Sequence, residues 1–219
     1  MVISLEKKGA KITGVKTAKN IYSANQVIIC AGAFSRSILQ DLNINLPIYF
    51  SHAQLIITPP SEIKLQTLVM PCTTKRLDTE KQMSKDIENI WQEGNNHLYG
   101  DVLEAGAIQF VDGSFCLGQI SQIVPSLDYN VDANVSEKRL RDAIAPILPS
   151  LWQLKGKWHN CQVAFTPEKP FLAGKIEQLE GLSLFSGFTS PFVFVPPLAR
   201  YFADYLANGK ESMISFNLH

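Results

Sequence analysis

Two stretches end an apolar run on small residues: "QVIICAGAFS", Gln26 to Ser35, and "LSLFSGF", Leu182 to Phe188. In each, a buried-strand pattern drops onto glycine, which lets backbone approach another group closely or turn left-handed. At Ala31, Gly32 and Ala33 two readings fit, a strand ending in a plain glycine turn or a backbone approach to a ligand, and the stretch alone favours the turn. Both strands nevertheless run into glycine at a C-terminal edge, where open α/β sheets bind ligands.

Other chemistry is sparse. No GxGxxG, GxxxxGK, GxSxG or HExxH occurs, so the familiar nucleotide cradles and hydrolase elbows are excluded. His52, His97, His159 and His219 are too widely spaced for local metal-ligand geometry and read as surface or hydrogen-bonded residues; no metal is assigned. No paired histidine or carboxylate set suits acid–base work, and no catalytic residue is assigned. Cys30, Cys72, Cys116 and Cys161 form no CxxC pair, and three sit among apolar or small neighbours, so they read as buried thiols in a reducing compartment.

The elements that must position these residues are mostly strands. "VISLEKKGAKITGVKTAKNIYSANQVIICAG" holds β-type runs at Val2–Leu5, Ile12–Val15 and Val27–Ile29, a meander feeding a buried strand. "SRSILQDL" reads as a short helix, and "LPIYFSHAQLIITPP" as an extended run stopped by Pro59-Pro60. "MSKDIENIWQEG" places Met83, Ile87, Ile90 and Trp91 on one face of a single amphipathic helix. Asp112-Gly113 between two extended runs signals a hairpin. In "SEKRLRDAIAPILPSLWQL" a stripe of Leu140, Ile144, Ile147, Leu148 and Leu151 follows a Ser136 N-cap, with an irregular end at Pro146 and Pro149. "TSPFVFVPP" reads as a proline-broken turn before the helix "LARYFADYLANG", closed by Gly209.

Many strands, few helices and no regular βαβ alternation exclude a complete doubly wound domain. The class is α+β with a partial α/β component. With 46% hydrophobic and 18% charged residues the chain is an ordinary globular one, and 20 basic against 20 acidic residues leave no field for nucleic acid or an anionic membrane. The start "MVISLEKKGAKI" lacks an apolar signal core, and no segment reaches the ~18 apolar residues of a membrane span. A soluble, cytoplasmic protein is expected.

The ordered set "QVIICAGAFSRSIL", "LPIYFSHAQLIITPP", "VDGSFCLGQI", "KWHNCQVAFTPEKPFLAG" and "LSLFSGFTSPFVFVPPLARYFADYLANG" resembles the C-terminal portion of the FAD-dependent D-amino-acid oxidase, glycine oxidase and sarcosine oxidase family. The resemblance implies that Ala31, Gly32 and Ala33 are small because backbone there lies close to FAD. It likewise places Gly187, Phe188, Thr189 and Ser190 in the flavin loop. There Gly187 matches the family, while Phe188 and Phe192 replace a Gly-His type turn and either face the flavin or simply pack the lobe interface. It puts Gln54 and Gln162 on the substrate side, Gln162 standing where amino-acid oxidases carry a carboxylate-binding arginine; alternatively Cys161 takes that position, or Gln162 bonds a backbone group in the sheet. Residues 1–40 and 160–219 would form the remaining part of an FAD-binding lobe, with Val27–Ile29 and Leu182–Phe185 meeting in it. Residues 41–159 would form a mixed, largely antiparallel substrate-binding sheet.

The family's opening βαβ unit with GxGxxG does not occur in this sequence, so the chain is expected to be a truncated product, one piece of a split enzyme or a remnant with another use; the expected partners are a small-molecule substrate and, for a split enzyme, a separate N-terminal FAD-binding chain. In the complete enzyme the activity is hydride transfer from a small amine or amino-acid-like substrate to flavin. The alternative is a non-catalytic binding or regulatory domain, or a remnant, that keeps the fold without FAD.

Overall fold

A computed structural model describes residues 2–85 and 88–209. Two compact units divide the chain, one reaching to Tyr49 and resuming at Ala164, the other Phe50–Val163.

The first unit starts with three antiparallel strands, β1 (Val2–Lys8), β2 (Lys11–Thr17) and β3 (Ile21–Ser23). β1 and β2 match the expected runs; β3 was not anticipated, because "IYS" is too short to show alternation. β4 (Val27–Ile29) then leads through a single 3-10 turn, Gly32–Phe34, into helix α1 (Ser35–Gln40). After the second unit, β9 (Leu172–Lys175) and β10 (Leu182–Ser186) complete a sheet ordered β4-β10-β9. β10 runs antiparallel to β9 and parallel to β4, pairing Leu182 with Val27 and Leu184 with Ile29. The expected meeting of these two distant stretches is thus a direct strand pairing. Leu182 and Leu184 of β10 join Ile12, Ile29, Leu39 and Ile48 in one core, and Phe185 joins Phe188, Leu198 and Phe202 in another. β10 is buried on both faces along its whole length, Ser183 included.

The helix after β10, α5 (Pro191–Asn208), corrects the sequence reading. "TSPFVFVPP" is not a turn: Pro191 takes the first helical position, where its missing N–H would be unpaired anyway, and Pro196 and Pro197 lie within the helix. The stripe Leu198, Phe202, Leu206 holds the helix to the core despite the lost donors. Gly209 caps it as expected.

In the second unit β5 (Tyr49–Ile57), β6 (Gly100–Gln109), β7 (Phe115–Ile123) and β8 (Lys157–Phe165) form a sheet ordered β6-β7-β5-β8, with β7 antiparallel to both of its neighbours. The β6–β7 hairpin forms at Asp112-Gly113, in a five-residue loop closed by Gln109 opposite Phe115. Helix α2 (Lys75–Lys85) starts ahead of the stretch expected to be helical, and α3 (Glu88–Glu93) lies within it; Ile87 lies outside the described residues.

Helix α4 (Ala133–Ile144) is capped by Asp132, whose carboxylate accepts from the N–H groups of Asn134 and Val135 at 3.0 and 3.1 Å. Ser136 is therefore not the cap but a buried residue of the first turn. Leu140, Ile144 and Leu151 pack on Ile56, Phe115, Leu117 and Ile120, while Ile147 points away at 51% exposure, because the helix ends at Ile144 and the stripe loses its phase. Among the described residues no helix is long and apolar enough to cross a membrane.

Candidate functional site

The C-terminal ends of β4 and β10 lie side by side because the strands are parallel, and both turn on a left-handed glycine. Gly32 has φ +54° and a Cβ built there would meet no atom within 4 Å, so the backbone needs glycine while the space beside it is open. Gly187 has φ +74°, and its Cβ would stand 2.5 Å from Thr166 Cγ2. A short hydroxyl chain ties the ends together. Ser186 Oγ donates to the Gly32 carbonyl at 3.2 Å, so the Ser35 hydroxyl, 2.8 Å away, donates to Ser186. Both serines are buried. Thr166 Oγ1 donates to the Lys169 carbonyl and lies 3.3 Å from the Gly187 carbonyl, fixing the second turn.

The remaining expected residues of this unit divide. Ala31 is half-buried, Ala33 is buried and Phe34 is exposed. Phe188 turns inward, stacked on Phe171 at 5.3 Å and packed against Phe185, whereas Phe192 is 95% exposed. Thr189 N–H donates to the Pro170 carbonyl, and the Ser190 carbonyl accepts from Val193 and Phe194 at the start of α5. Sequence reasoning missed Ser35, Thr166 and Ser186; the two serines lie 151 residues apart and carry no local signal of pairing. Cys30, Cys72 and Cys161 are exposed and Cys116 half-buried, correcting the expectation of buried thiols: for Cys116 the apolar neighbours in sequence point to the opposite face of its strand, and Cys30 and Cys72 lie outside the strands. Partial burial still pushes the Cys30, Cys116 and Cys161 thiols up.

In the second unit Gln54 is fully buried, and its Nε2 donates to Gln122 Oε1 at 2.8 Å. Gln122 in turn reaches Asp101, which a bidentate Arg139 holds at 3.0 Å on both oxygens. Gln162 Nε2 donates to the Leu127 carbonyl at 3.3 Å. His52 is buried with Nε2 3.0 Å from the Ser126 carbonyl, and burial holds its pKa below 6.5.

One face of this unit's sheet carries α4; alternate residues Leu55, Gly106, Ile108 and Cys116 belong to the other. There they line a cavity of about 280 Å³ beneath residues 68–71, with Arg76 and Glu104 at its edge. Arg76 Nη1 holds both oxygens of Glu80 at 2.9 and 3.2 Å, and Arg76 Nε lies 3.7 Å from Glu104. Burial raises the pKa of Glu80, opposed by Arg76.

Residues 1–205 match the family model of FAD dependent oxidoreductases, DAO. The chain belongs to that family. Members of the family use FAD, and the fold agrees with solved structures throughout. L-proline dehydrogenase from P. horikoshii superposes with a TM-score of 0.70 at 20% identity, over 97% of this chain and 50% of that one. Glycine oxidase from Geobacillus kaustophilus gives 0.70 at 16%, over 100% and 51%. Iminodiacetate oxidase from Chelativorans sp. BNC1 gives 0.70 at 16%, over 97% and 50%. The chain thus spans about half the length of these oxidoreductases. No curated protein matches the sequence.

Proposed function

We propose that this chain is the substrate-side part of an FAD-dependent oxidoreductase acting on a small amine or amino-acid-like substrate. The observation that carries the reading is the parallel pairing of β4 with β10, which sets Gly32 and Gly187 at one sheet edge with open space beside Gly32. Glycine in both turns lets backbone approach a flat ring closely, and the Ser35–Ser186 pair ties the strand end to the Gly32 turn. Residues 31–33 and 187–190 would hold the flavin end of FAD, which when bound supplies a hydride acceptor. Gln54 and Gln162 are the substrate-side polar groups, positioned by their bonds to Gln122 and Leu127. Neither moves a proton. The sequence contains no glycine-rich cradle for the pyrophosphate, so in the complete enzyme that anchor, a GxGxxG unit, lies outside these residues, and a companion polypeptide carrying it would complete the site.

The chain alone, titrated with micromolar FAD, should change flavin fluorescence little, and addition of the companion polypeptide should give a yellow complex with a bound-flavin spectrum. Tight stoichiometric binding by the chain alone would refute the external anchor. A mixture that stays colourless would refute the oxidoreductase reading and favour a non-catalytic domain.

A further inference from the structure

The cavity on the open face of the second unit's sheet has a charge pattern that the family resemblance does not supply. Its walls are apolar, from Leu55, Val69, Met70 and Ile108, and its volume of about 280 Å³ suits a compact ligand of a few heavy atoms. Two charged side chains line it, Arg76 and Glu104. Arg76 is committed to Glu80, which is 4% exposed and grips the guanidinium through both oxygens. Glu104 lies 3.7 Å from Arg76 Nε, beyond hydrogen-bond length, and keeps its acceptor capacity for another donor. Glu80, from outside the lining, neutralises the Arg76 guanidinium, and the neighbouring Gln119 side chain is neutral. Glu104 is then the one lining charge not matched by a hydrogen-bonded partner, a site that attracts an ammonium ion and disfavours a carboxylate.

We propose that this cavity binds a small aliphatic amine as its ammonium ion, with Glu104 as the counter-charge and the apolar wall around the carbon skeleton, and that it rejects ligands bearing a free carboxylate. The inference rests on the oxidoreductase reading only in identifying this amine as the substrate; binding itself is independent of flavin. Read with the proposed function, it narrows the substrate class from amines and amino acids to amines without a carboxylate, and in that case Leu55, Glu104 and the cavity wall, rather than Gln54 and Gln162, which do not line it, contact the substrate.

The test uses the full 219-residue chain without FAD and four probes of similar carbon skeleton: isopentylamine, isopentanol, 4-methylpentanoate and leucine. Titration calorimetry should show saturable binding of isopentylamine, weaker binding of isopentanol, and none of the two carboxylates. Isopentylamine should slow alkylation of Cys116, which lines the cavity, and leave Cys30 unaffected. Glu104→Gln should weaken the amine about ten- to a hundredfold, the range of one charge-assisted hydrogen bond, and leave isopentanol unchanged. Ile108→Trp, made at a partly exposed lining position, should abolish binding of both. No saturable amine binding, 4-methylpentanoate or leucine binding as well as the amine, or Glu104→Gln leaving the amine affinity intact would each overturn the proposal. Amine binding as described together with a colourless companion complex would leave the cavity assignment standing and remove the oxidoreductase reading.

Discussion

Gly187→Ala tests whether the turn after β10 is set by backbone conformation, by packing, or by both. An alanine at φ +74° costs about 1–2 kcal/mol for left-handed backbone, and the methyl placed 2.5 Å from Thr166 Cγ2 adds overpacking of about 1–3 kcal/mol. The expected loss is about 2–5 kcal/mol. Thr166→Ser separates the two terms. It deletes the obstructing methyl and keeps the hydroxyl that holds the Lys169 and Gly187 carbonyls, at about 0.5–1.5 kcal/mol for a lost buried methyl. In the double variant the collision is gone, so the pair should couple favourably by the overpacking term, about 1–3 kcal/mol. Urea midpoints by circular dichroism give the four stabilities, and hydrogen exchange in a peptide covering Leu182–Ser186 localises the change. Gly32→Ala is the internal control: with nothing within 4 Å of its Cβ it should cost only the backbone term. Strict additivity of Gly187→Ala and Thr166→Ser, or equal losses for the two glycine variants, would refute the steric reasoning.

Two further predictions concern the second unit. Asp132→Ala should lower stability by about 1 kcal/mol by removing the acceptor for two helix N–H groups, read from the urea midpoint; a loss near zero would mean that α4 is capped otherwise. His52 has its pKa lowered from 6.5 by burial, so below that value the unfolded chain binds the extra proton more readily and stability falls with pH until the folded value is passed. His52→Gln removes this contribution. The parent's advantage over the variant should therefore shrink as pH is lowered from above 6.5, and a constant difference in urea midpoint on both sides of 6.5 would contradict it.

The parts of this fold that were legible in the sequence are those governed by local rules. The Val27–Ile29 and Leu182–Phe185 runs, the Asp-Gly hairpin and the Gly209 cap each depend on a few adjacent residues. The family resemblance added the order in which they are used, and with it the pairing of β4 with β10. What failed did so for nonlocal reasons. Prolines at 191, 196 and 197 read as breakers because helix propensity weighs against them, yet the Leu198–Phe202 stripe buried against Phe185 outweighs the lost donors. Ser136 resembles a cap until Asp132, four residues earlier, is seen to begin the helix. Cys116 was judged by its sequence neighbours, although alternation sends adjacent strand residues to opposite faces. At the candidate site the glycines were readable, but the Ser35–Ser186 pair and the Arg76–Glu104 edge join residues brought together only by the folded chain.

The central claim is that the paired ends of β4 and β10 are where this chain meets flavin. Hydrogen–deuterium exchange of the chain with and without millimolar FAD tests it most directly, since high ligand concentration offsets the missing anchor. Protection confined to peptides covering residues 30–34 and 186–190, and weakened by Gly32→Leu, is the predicted result. Protection elsewhere, or none at these turns, would contradict the account.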